Sequence, residues 1–208
     1  MNPVLKLLRS HRSIRKFKDR AVQEDTLRAI LRAAQCAATS NFLQAYTVIR
    51  VADRENRQAI AELSGDQAWV AQAPVFLVFC ADLNRLALAC RMNRVAMADG
   101  YAEQLIVATV DTALFGQNTM IAAESIGLGG VFIGGIRNHP QREAVLLRQR
   151  LSIDRIGQEH LFGKNIVNGK PFHFLVAAPG TAKGHVGNPA FHFHPAEKPF
   201  HGNTFPTA

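Results

Sequence analysis

The sequence reads as an α+β protein, and three features carry that reading: a strand-length apolar run at 75–80, a long apolar helix over about 100–125, and amphipathic helical patterns between strand signals. The 208 residues exceed the usual single-domain size of roughly 100 to 150 but make a cramped pair of domains, so one compact unit is expected. With 48% hydrophobic and 19% charged residues the chain can bury a core, which excludes wholesale disorder, a collagen-like repeat and a disulfide mini-protein. A net charge of +8 points to an anionic partner: nucleic acid, a membrane surface or a phosphorylated small molecule.

Val22, Leu27, Ile30, Leu31 and Ala34 recur at helical spacing, with Glu24 and Asp25 where a first turn favours negative charge, so 23–38 is expected to be a helix. Residues 46–52 alternate as a half-buried strand, and Asp53 caps a helix that stops at Gly65. Pro74 opens the apolar run 75–80, expected to be a central strand covered on both faces. The helix over about 100–125 is apolar nearly all round, which reads as buried, with a subunit interface as one setting. Gly127, Gly129 and Gly130 end it. A short strand is expected at 131–133, then Gly134-Gly135 and a helix capped by Asn138 with Pro140 in its first turn. After about Leu151 histidines and prolines crowd a region without helical period, expected to be irregular except for a strand at 172–177.

Three cysteines, Cys36, Cys80 and Cys90, show no Cys-x-x-Cys spacing, so neither a disulfide framework nor a zinc site is signalled; a reducing cytoplasm and buried thiols are expected. Arg9, His11, Arg12 and Arg15 interrupt the N-terminus before the apolar stretch of a signal peptide can form. Asp111, Gln117 and Asn118 interrupt the longest apolar region, so neither a spanning helix nor a membrane partner is expected.

Six positive side chains, Arg9, Arg12, Arg15, Lys16, Lys18 and Arg20, lie within a dozen residues near the start of the fold. If 11–17 is extended, His11, Ser13 and Arg15 face one side and Arg12 the other, a grip for a phosphate from two sides. A solvated basic segment is the plain alternative. Nucleic acid is disfavoured, because only Phe17 among the aromatics accompanies the run and no recognition helix follows. The glycines at 127–135 match neither a dinucleotide fingerprint nor a Walker loop, since Phe132 stands where a third glycine is needed. Gly134 and Gly135 can bring bare amides against a flat ligand, or simply form a cap and a tight turn. His192-x-His194 with His201 or Glu197 is a weak metal pattern, and no metal is expected. No paired carboxylates or nucleophile stand out, which fits a cofactor enzyme or a non-enzyme.

His11-Arg-Ser-Ile-Arg15-Lys-Phe17, Thr39-Ser-Asn-Phe-Leu-Gln44, Gly65-Asp-Gln67, Glu103-Gln104 and the run from Ala123 to Asn138 together resemble the nitroreductase family, in its NADPH-dependent nitroreductase and flavin reductase branch. The resemblance covers about residues 3–150. It implies a homodimer with a mixed central sheet wrapped by helices, a long central helix at the dimer interface, and FMN bound there. By that resemblance His11, Arg12, Ser13 and Arg15 hold the FMN phosphate and ribityl chain, Thr39 and Gln67 add polar contacts, and Phe132, Ile133, Gly134 and Gly135 lie against the flavin ring. Asn41, Phe42 and Glu103 line the substrate pocket. The implied activity is ping-pong: NADPH reduces the flavin, and a nitroaromatic, quinone or free flavin then takes two electrons, with the flavin rather than any side chain carrying the chemistry.

The family-like unit is expected to span 1–162, with an atypical tail at 163–208. There Lys170-Pro171 is followed by Phe172, where the family continues with arginine, and the family's helical arm is missing. The alternative reading is accordingly a degenerate relative, its end replaced, that keeps the fold but binds flavin weakly or not at all.

Overall fold

A computed structural model describes residues 1–98, 100–139 and 142, with the backbone of 173–178. The elements in chain order are α1 (Pro3–Ser10), α2 (Glu24–Ala34), β1 (Tyr46–Arg50), α3 (Arg54–Leu63), α4 (Ala68–Gln72), β2 (Val75–Ala81), α5 (Asn84–Met92), α6 (Ala102–Ser125) and β3 (His173–Ala178). Single 3-10 turns occupy Ser40–Phe42 and Gly135–Arg137.

β2 is apolar at consecutive positions because both of its faces are covered. Phe76 and Val78 pack into one cluster with Ile60, Val70, Val131, Ile133 and Ile136; Val75, Leu77 and Phe79 pack into another with Leu27, Leu31, Phe115 and Met120. Period-two alternation thus sends neighbouring residues to opposite layers: α3, α4 and the 131–136 segment on one side, α2 and α6 on the other. β1 and β3 flank β2, both antiparallel, with Tyr46 opposite Ala81 and Val75 opposite Ala178. The central strand is where the sequence puts it, and β3 is the strand expected in the C-terminal region. Every pairing among the described residues is antiparallel, so the parallel ladder of a mixed sheet is not among them.

Local chemistry accounts for the element ends. The Asp53 side chain accepts from the Asn56 N–H at 2.8 Å and starts α3, and Gly65, at φ +89°, follows its end. α2 stops at Ala34, four residues before the expected end, because the chain tightens there: the N–H groups of Cys36 and Ala37 bond the carbonyls of Ala33 and Ala34. This leaves Cys36 exposed, correcting the expectation of a buried thiol. Cys80 fits it better; burial, and secondarily Asp82, push its thiol up to about 12. Residues 131–133 keep the alternation of a strand, Val131 and Ile133 against one cluster and Phe132 against the other, but form no strand. The sequence reading also missed α1, α4 and α5. The helix expected after Asn138, the boundary near 162 and the His192-x-His194 pattern lie outside the described residues.

By length and composition α6 would suffice to cross a membrane. Its packing against α2, β1, β2 and β3, with Asp111, Thr112 and Thr119 buried, makes it a core helix.

Candidate functional site

The basic segment after α1 has no regular structure, and its inward-facing residues are Ile14 and Phe17. That spacing of three departs from the period of two expected for an extended strand. The Ile14 N–H donates to the Gly130 carbonyl at 2.9 Å, tying the segment to the loop after α6, and Phe17 packs on the core cluster beneath. His11, Arg12, Ser13, Arg15 and Lys16 are left exposed. His11 Nδ1 lies 2.7 Å from Glu124 Oε1 in the last turn of α6, and the Arg15 guanidinium sits 5.9 Å from the centre of the Trp69 ring. Arg12 has no ion-pair partner among the described residues. A row of cations with one counter-charge, held at its backbone and open at its side chains, is built to meet an anion.

Gln67 caps α4, and its Nε2 donates to the Ser64 carbonyl at 2.6 Å. A Cβ on Gly135 would lie 2.1 Å from that carbonyl oxygen and 2.7 Å from Gln67 Nε2, so Gly135 is glycine because the backbone of 134–136 is pressed against the turn between α3 and α4. Gly134 is different: exposed, with only the flexible end of Arg137 near a hypothetical Cβ. Of the two readings open for this pair, close packing therefore accounts for Gly135, while Gly134 keeps its amide at the surface. The Ile133 side chain is in the core and Phe132 packs partly there, so these two can present only backbone, or a ring edge, to a ligand. His11–Arg15, Gln67 and 132–135 are thereby gathered at one end of α6.

Thr39, Asn41 and Phe42 belong to a second place, the middle of α6. Asp111, only 2% exposed, accepts from the Thr39 hydroxyl at 2.6 Å and from the N–H groups of Ala45 at 3.1 Å and Ser40 at 3.3 Å. Thr39 Oγ1 in turn accepts from the Gln44 N–H at 2.9 Å. Its proton and one lone pair are spent, so toward a ligand Thr39 can only accept. The loop so held is strained: Asn41, Phe42 and Gln44 have φ of 48°, 56° and 49°, and Phe42 keeps this conformation while 78% exposed. Bulky residues in left-handed backbone gather at functional sites, where the surroundings over-determine them. Arg85 grips the outgoing end, donating to the Leu43 carbonyl at 3.0 Å and to that of Gln44. Glu103 is exposed in the first turn of α6, where the helix dipole favours its charge.

Sequence reasoning named Asp111 only as a polar interruption of an apolar helix and gave Glu124 and Trp69 no role. A carboxyl on the buried side of such a helix is the signal that was available. A polar cleft lined by Arg54, Arg57, Glu62 and Asp66 shares no residue with the predicted set.

Over 148 residues the chain is 48% identical to the oxygen-insensitive NADPH nitroreductase of Salmonella typhimurium, covering 71% of this chain and 60% of that protein. Among solved structures, NfrA2 of B. megaterium aligns with TM-score 0.75 and 34% identity over 91% of this chain and 71% of its own. The NADPH:FMN oxidoreductase from Vibrio harveyi, solved with NAD+, aligns with TM-score 0.72 and 30% identity over 100% of this chain and 80% of its own. The chain spans about 60% of the length of the curated relatives it matches. Residues 8–164 match the nitroreductase family over most of the sequence, and the chain belongs to that family and has its fold.

Proposed function

We propose that the protein is an FMN-dependent NAD(P)H oxidoreductase that reduces small electron acceptors, namely nitroaromatics, quinones or free flavins, with NADPH as donor. The observation that carries the reading is the exposed row His11, Arg12, Ser13 and Arg15, fixed through Ile14 to Gly130 and through His11 to Glu124, with Arg12 lacking any carboxylate partner among the described residues. A phosphate supplies the missing negative charge, so the residues present fit the phosphate of FMN. When bound, FMN supplies two-electron chemistry, accepting a hydride from NADPH and passing the electrons to an acceptor.

The chain's own part is binding and orientation. Arg12, Ser13 and Arg15 would hold the phosphate and ribityl chain, and His11, with Nδ1 engaged by Glu124, presents Nε2. Gln67 and the backbone of 132–135 would border the ring, while Asn41, Phe42 and Glu103 would shape the side that admits the acceptor. Asp111 and Glu124 are more than three turns apart on α6, about 20 Å of helix axis. One protomer therefore holds the basic grip and the 39–45 loop well apart, which supports a homodimeric reading in which each site takes its grip from one protomer and its loop from the other. The exposed apolar stripe Ile106, Val110 and Leu114 on α6, with Val4, Leu5 and Leu8 on α1, supports that interface. We place the flavin unit at 1–162, the C-terminal region beyond it, and the protein in the cytoplasm, without nucleic-acid or membrane partners.

The test is a visible absorption spectrum of freshly purified protein, with the released chromophore separated against FMN, FAD and riboflavin standards. One FMN per chain, and NADPH oxidation on adding a quinone, is the expected result. A colourless protein that takes up no added FMN overturns it in favour of a degenerate relative.

A further inference from the structure

Asp111 is a buried carboxyl that the proposed reaction leaves without a task. It lies on α6, yet its three hydrogen-bond partners among the described residues, the Thr39 hydroxyl and the N–H groups of Ser40 and Ala45, belong to the loop before β1. Between those anchor points the chain passes through Asn41 and Phe42, both left-handed and both exposed. A side chain with so little packed over it takes its place from its backbone. That backbone is held at both ends by Asp111, with Arg85 adding bonds to the carbonyls of Leu43 and Gln44.

Resting on the flavin reading above, we infer that Asp111 is a positioning residue: it fixes the 39–45 loop from the helix beneath and so sets where Asn41 and Phe42 stand at the acceptor side of the site. The basic grip is held elsewhere, by Gly130 and Glu124, so the phosphate grip and the acceptor side separate by residue, Thr39 being the one expected flavin contact on the loop.

The test uses the full-length flavoprotein. In D111N one carboxylate oxygen becomes an NH2 group, and whichever way the amide turns, at least one loop donor faces a donor. The KM for p-benzoquinone, with NADPH as donor, should rise about tenfold, since small misplacements of positioning groups are felt at that scale, while FMN affinity changes by less than about threefold. Amide exchange within 39–45 should quicken by about tenfold or more, with β1 and β2 unaffected. T119V is the control. It removes a buried hydroxyl from the same helix, one that among the described residues bonds only the Phe115 carbonyl, and should change none of these. If D111N fails to fold, T39V, which deletes the hydroxyl that donates to Asp111 and accepts from the Gln44 N–H, must raise the same KM.

A flavin-loaded D111N or T39V protein with the wild-type KM overturns the inference, and so does an equal rise in T119V. A wild-type protein that binds no FMN overturns instead the flavin reading on which the inference rests, and is recognised before any variant is made.

Discussion

Two irregular segments, 11–17 and 39–45, carry most of the candidate site, and they are built in opposite ways. Among the described residues the first is fastened by one backbone bond, the His11–Glu124 pair and the Arg15–Trp69 contact, and leaves its basic side chains exposed. The second is fastened by a buried carboxyl and an arginine and holds three residues in left-handed backbone. An open basic segment costs the fold little, since exposed charges repel only weakly in water, and it is completed by the ligand. The strained loop must be completed by the protein itself, because its conformation would otherwise relax. Affinity and geometry are thus assigned to different segments, each joined to α6 at its own place.

The comparison breaks most visibly if Asp111→Ala proves harmless. Stripping the acceptor leaves buried donors unpaired, and a stability loss of about 3 kcal/mol is expected in a urea titration. Arg12→Ala should do the reverse, leaving the urea midpoint in place while weakening FMN binding about tenfold to a hundredfold in a fluorescence titration, the worth of one charge-assisted contact of about 1.5 to 3 kcal/mol. Phe42→Gly sharpens the contrast from the other side: it relieves left-handed strain on an exposed residue, so the folded state should gain up to about 1 kcal/mol while the KM for the acceptor rises.

The smallest effect concerns Glu24, whose hydrogen bond from Arg50, at 2.6 Å, holds its carboxyl below the ordinary range. A lowered carboxyl contributes stability that is present above its unfolded value and lost as the pH falls through the folded one. Because the pair is largely solvated, Glu24→Gln should cost no more than about 0.5 kcal/mol near neutral pH and nothing in acid, measured as the melting difference between the two proteins across that range.

Much of the fold is legible in the order of residues. β2 is announced by six consecutive apolar side chains, α3 by Asp53 and Gly65, and α6 by its length without glycine runs or proline. α1 was legible too, with Asn2 as cap and Pro3 in its first turn, but the basic residues that follow drew attention away from it. α4, of five residues, is too short to show a period. The grip at 11–15 was visible as charge, whereas the way the segment faces was not, since Ile14 and Phe17 turn inward only once Gly130 and the core are in place.

The sequence by itself determined what depends on neighbours along the chain: which stretches turn into helix or strand, where caps and glycines end them, and where positive charge accumulates. Only the tertiary structure decided what depends on distant neighbours. Gly135 is dictated by the Ser64 carbonyl, Thr39 is spoken for by Asp111, and His11 is met by Glu124, partners separated by tens of residues. The physical reason is that capping, periodicity and backbone preference act over a few residues, whereas burial and hydrogen-bond satisfaction are settled by whichever groups the fold brings within about 3 Å of one another.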